Sequence, residues 1–155
     1  RPMNCAPFTP ASSSYAWNIP PPSPLKPKMH GKHLYEVAVI RLLPVLAREE
    51  FLNVGIILFS KQAKYIAVRV ALNEEKLRCF AADVDLDQVR ENLRSFQRIA
   101  EGAADGGPIA ALDIPSRFRW LTAVRSSAIQ TSRPHPGLCD DLEGTVGRLF
   151  EELVG

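Results

Sequence analysis

At 155 residues, with 46% apolar and 23% charged residues, the chain has the size and composition of one globular domain, which excludes wholesale disorder and leaves little room for two full domains. The formal charge of +2 is unevenly placed: Arg1, Lys26 and Lys28 take three of the 19 basic residues in an acid-free opening segment, leaving 16 basic against 17 acidic residues beyond it. A near-neutral body lacks the broad basic surface of a nonspecific nucleic-acid binder, and no apolar run approaches the roughly 20 residues that cross a bilayer.

Eight of the 13 prolines fall within residues 1–28, and such a stretch lacks the backbone donors of a helix or sheet. This reads as a disordered proline-rich leader or an upstream extension, and Met29 as the start of a single α+β domain over residues 29–155. From Leu34 to Leu43 a run rich in β-branched residues closes at Pro44 and predicts a strand, in which Glu36 and Arg41 are conspicuous interior charges. Leu52 to Ser60 is almost wholly apolar after Asn53, the mark of a strand buried on both faces, and Gly55 inside it predicts a bulge or a close backbone approach. Lys61-Gln62-Ala63 turns the chain into a third strand, Lys64 to Leu72, completing an antiparallel meander.

Asn73 followed by Glu74 and Glu75 predicts a capped helix to about Ala81. Asp85 and Gln88 resemble a capping box before Leu86, Val89, Leu93, Phe96 and Ala100 at helical spacing, so a second helix runs to about Glu101. Pro115 starts a third helix carrying Phe118, Trp120 and Leu121. Ser126 to Ser132 reads as a short polar strand, Arg133 to Gly137 as a turn or loop, and a last helix from Asp140 or Asp141 buries Leu142, Val146, Leu149, Phe150 and Leu153. The expected fold is therefore α+β: a three-stranded antiparallel meander plus a short fourth strand, covered by three to four helices.

Four phrases carry a resemblance: Tyr35 to Arg41, Arg48 to Leu58, Arg117 to Leu121 and Arg125 to Ser132. In that order they resemble the bacterial domain-of-unknown-function 3037 family, from about residue 33 to the C-terminus. The resemblance implies no activity. It does imply a protein partner, because some members sit beside genes for HipA-like kinases.

The segment from Arg117 to His135 is the main candidate site. Arg117, Arg119, Arg125 and Arg133 occur there with no acid between Asp113 and Asp140, and guanidinium forks suit phosphate or carboxylate. Ser126, Ser127, Gln130, Thr131 and Ser132 add neutral donors, and Trp120 offers a stacking face. The competing use of these arginines is pairing with Glu49, Glu50, Asp140 or Asp141 to fasten loops. Arg41, Glu49, Glu50 and Asn53 form a secondary set, although adjacent glutamates on extended chain point opposite ways and are better suited to pairing than to one metal or acid–base site.

A triad of Ser126 or Ser127 with His135 and Asp140 has no nucleophile elbow. His30 and His33 lack a third ligand, and Cys5, Cys79 and Cys139 lack the spacing of a zinc site or disulfide framework. No metal or cofactor is expected, Cys79 and Cys139 read as packing residues, and reduced thiols fit a cytoplasmic location. The leading reading is a noncatalytic binding or regulatory module acting through a protein partner at the face of Arg117 to His135. The alternative is a small enzyme or nucleotide- or phosphate-binding protein using the same arginines, and homo-oligomerisation is compatible with either. Partner binding predicts exposed apolar area beside the arginines, whereas a small-molecule site predicts a pocket where Arg117, Arg125, Gln130 and His135 converge.

Overall fold

The structure, a computed structural model, describes residues 31–155. The leader, the boundary at Met29, Cys5 and His30 therefore lie outside the described residues. β1 (His33–Leu42), β2 (Leu52–Ser60) and β3 (Tyr65–Val70) form the expected antiparallel meander, with β2 between the other two. Every residue of β2 from Val54 to Ser60 is buried, as a strand covered on both faces requires. The bulge falls where Gly55 predicted it: Ile40 faces Gly55 while Arg41 faces Asn53, so Val54 is the extra residue. A side chain at position 55 would run into the Arg69 carbonyl and Val70, so the close approach is also present. The bulge inverts side-chain parity: Val54 joins the core of one face, whereas Ile56 and Leu58 join that of the other.

The far side of β1 is where the structure departs from expectation. β4 (Ile129–Thr131) pairs with Ile40 to Leu42, and a fifth strand, β5 (His135–Cys139), pairs with His33 to Val37. The stretch read as a turn through Gly137 thus becomes strand at His135. Proline is tolerated on an edge strand, where a missing N–H can face away from the neighbour. Gly137 is required there because a side chain would collide with the Tyr35 ring opposite it. Between the two short strands, Ser132 keeps the ladder intact. Its N–H donates to the Val39 carbonyl at 2.8 Å, and its hydroxyl accepts from the Val39 N–H at 2.9 Å.

Helices cover both faces. α1 (Glu74–Phe80) is capped by Asn73, and α2 (Leu86–Glu101) by Asp85, whose carboxylate accepts from Asp87 and Gln88. Only half of a capping box forms, because the Gln88 side chain turns to Asn92. Gly102, at φ 71°, closes α2 in the left-handed conformation that glycine adopts without strain. A single helical turn, α3 (Gly107–Ala110), leads to α4 (Ile114–Thr122), with Pro115 in its first turn. Leu77, Val89, Leu93, Phe96, Phe118 and Leu121 pack on Ala38, Ile40, Leu42, Ile57 and Phe59. The stacked rings of Phe59 and Phe118, 4.8 Å apart, fasten α4 to the sheet.

On the opposite face α5 (Leu142–Leu153), capped by Asp141, buries Leu142 and Val146 against Tyr35, Val37, Ile56 and Leu58. Burial raises the Tyr65 phenol pKa at this face, and the nearby Glu143 carboxylate raises it further. Cys139 packs against the same cluster, but Cys79 is exposed, contrary to the packing role expected of it. Among the described residues no helix is long and apolar enough to cross a membrane.

Candidate functional site

The end of α4 sets the site. Trp120 lies on the outward face of the helix and is 37% exposed, while Phe118 and Leu121 turn inward. After Thr122 the chain leaves the helix, and Arg125 folds back so that its guanidinium lies 4.0 Å from the Trp120 ring centroid and donates to the Trp120 carbonyl. One side chain therefore satisfies a loose carbonyl at the helix end and stacks on an aromatic face, a cation–π contact of about 0.5–1 kcal/mol at an exposed position.

A second stacked arginine comes from the sheet. Arg41 faces Gln130 across β1 and β4 and Asn53 across β1 and β2, and its guanidinium lies 4.2 Å from the ring centroid of Phe51. Its Nε is buried without a hydrogen-bond partner. Arg41 and Arg125 line a common open cleft of about 460 Å³, whose remaining wall includes Leu46, Phe51, Val124 and Ser126. Arg125 and Gln130 also border a neighbouring hollow of about 230 Å³ beneath Trp120. Glu49, in a left-handed conformation at φ 54°, is the acid at the first cleft.

Trp120, Arg125, Ser126 and Gln130 of the main candidate set thus come together, joined by Arg41 and Glu49 of the secondary set. Arg117, Arg119, Ser132 and His135 line neither hollow. Arg119, Arg133 and His135 are exposed, His135 standing on β5 opposite Val37, and Ser132 is committed to the ladder. Glu50 turns toward Arg48 at 4.0 Å, and Asn53 donates to the Leu153 carbonyl at 3.0 Å, anchoring the end of α5. Ser127 gives its hydroxyl to the Ile129 carbonyl.

None of Arg117, Arg119, Arg125 and Arg133 pairs with Glu49, Glu50, Asp140 or Asp141. Among the described residues the ion pairs involve Arg48, Arg90, Arg94, Arg98 and Arg148. The residues that sequence reasoning missed are the apolar ones: Leu46 and Phe51, each 44% exposed, and Val124, 100% exposed. Their only signal was position, large apolar side chains inside otherwise polar connections.

The family described as protein of unknown function (DUF3037) matches over residues 37–154. The chain belongs to that family. The match spans every helix and the whole sheet except the start of β1, before Val37, so the cleft of Arg41 and Arg125 is built within the DUF3037 domain. No curated protein and no solved structure matches the chain.

Proposed function

We propose that this DUF3037 domain is a noncatalytic binding module whose cleft between Arg41 and Arg125 takes an extended segment of a protein partner that combines carboxylates with large apolar side chains. The observation that carries this reading is the pairing of two kinds of surface. Val124, Phe51 and Leu46 present apolar area to solvent, and between them stand two guanidinium groups held by aromatic rings and facing no carboxylate partner within 4.0 Å among the described residues. Stacking fixes each guanidinium before a partner arrives, so less rotamer freedom is lost on binding. Exposed apolar groups ringed by arginine resemble the centre of a protein interface more than the surface of a solitary domain. The rival small-molecule reading needed Arg117 and His135 in the same hollow as Arg125 and Gln130, but Arg117 lines a separate cleft and His135 stands exposed on β5.

Panning a random peptide library against the full chain tests the proposal. The expected enrichment is for Asp or Glu interleaved with Leu, Phe or Trp, and Val124→Asp or Arg125→Ala should each weaken a selected peptide about tenfold. Enrichment indifferent to acidic residues, or peptides that bind Val124→Asp as well as the parent, would overturn it. A HipA-like kinase, implied by the family resemblance, is the first whole protein to test at the same cleft.

A further inference from the structure

Arg117 has no use in the cleft just described, yet its setting is unusual. The residue is 8% exposed, its Nε and Nη1 are buried without an acceptor, and no carboxylate lies within 4.0 Å of it among the described residues. Its guanidinium packs against Gly102 at the end of α2. The nearby carbonyls of Arg98 and Ile99 already accept from the backbone N–H groups of Gly102 and Ala103, and that helix end adds the diffuse field of its dipole. A buried cation without a counter-ion costs free energy, and natural proteins retain one where something else meets the charge.

Arg117 also lines a cleft of about 480 Å³ between the β2–β3 turn and the start of α4. The turn is closed by the Lys64 N–H donating to the Lys61 carbonyl at 3.3 Å, with Lys64 left-handed at φ 49°, and both lysines line the cleft. Opposite them α4 begins without a side-chain cap: Asp113 holds the N-cap position but accepts no backbone N–H. The positive end of a nine-residue helix therefore opens beside Lys61, Lys64 and Arg117. Against these three cations Asp113 is the one carboxylate on the lining, which leaves an excess of two positive charges. Phe59, Ile114 and Pro115 supply an apolar wall.

From this juxtaposition we infer a second binding site, separate from the peptide cleft, for an organic phosphomonoester. The phosphate dianion meets Lys61, Lys64 and the open helix end, with the charge of Arg117 behind them, and the hydrocarbon or ring it carries lies on Phe59 and Pro115. Arg117 is then the fixed charge beneath the site, and the two exposed lysines close over the ligand.

The test is a titration of the isotopically labelled full chain with phenyl phosphate, inorganic phosphate and benzoate at constant ionic strength, followed by amide and arginine Nε resonances. Phenyl phosphate should give saturable shifts at Lys64, Ser116 and Arg117, with inorganic phosphate weaker and benzoate weakest. Combining Lys61→Ala with Lys64→Asn, an exposed pair of changes that preserves the left-handed position, should weaken phenyl phosphate about tenfold. Arg125→Ala should leave its affinity unchanged, which separates failure of this site from failure of the peptide cleft. Shifts that do not saturate, that survive the double lysine variant, or that benzoate matches would overturn the assignment.

Discussion

Arg117 and Arg125 bracket the second half of α4, and the fold uses the same side chain in opposite ways at the two positions. Arg117 faces inward: two of its nitrogens are sealed from water, and the end of α2 packs on it. Arg125 lies at the surface, draped over Trp120 with its charge open to a partner. A guanidinium inside the domain is held by its surroundings and contributes field, whereas one on an aromatic ring contributes directional hydrogen bonds. Burial, not residue type, decides which role an arginine takes.

The contrast can be broken most severely at Gly102. Gly102→Val forces a branched side chain into a left-handed position and into the Arg117 guanidinium, and should lower stability by about 3 kcal/mol or more, read as a shift of the urea midpoint at unchanged slope. Arg117→Ala should cost about 2–4 kcal/mol by leaving a hole at the α2–α4 contact, whereas Arg117→Met, which fills that space without charge, should cost much less or nothing. Equal losses for the two variants would show that the charge itself holds α2 and α4 together.

Ser132→Ala, which strands the part-buried N–H of Val39, should cost about 1 kcal/mol in the same assay. At the surface, Arg125→Ala should cost about 1 kcal/mol, from the ring contact and helix-end hydrogen bond it removes, and Val124→Asp no more than about 0.5 kcal/mol, so that a larger loss of peptide binding is a loss of contact.

The smallest effect belongs to Tyr65. Its pKa is raised in the folded protein, so the native state holds the phenolic proton more tightly than the unfolded chain does. That contribution is fully present below the ordinary phenol pKa of about 10 and is lost as pH rises through the higher folded value. Alkaline unfolding of Tyr65→Phe should show a shallower fall of stability over that range.

How far the sequence revealed this architecture depends on how local each signal was. The caps at Asn73 and Asp85 were legible, and that at Asp141 to within one residue, because a capping side-chain oxygen serves an N–H two or three residues away. The bulge was legible because Gly55 interrupts an apolar strand. β5 was hidden because His-Pro-Gly has turn composition, and only the Tyr35 ring and the edge position give those residues a reason to be extended. Trp120, Arg125, Ser126 and Gln130 could be grouped by proximity along the chain, and Arg41 stood out as a charge inside a strand. Their meeting with Leu46, Phe51 and Val124 depends on pairing β1 with β4, which no local pattern encodes.

That pairing also sets an order of assembly. Val39 receives its Ser132 partner from 93 positions further along the chain, so β1 can zip to β2 early while its other edge waits for the last quarter of the polypeptide. Closing so long a loop slows folding, and on the ribosome the unclaimed edge of β1 stays open to foreign strands until residues 129–139 emerge. Truncation before β4 should therefore yield insoluble material, not a smaller soluble domain.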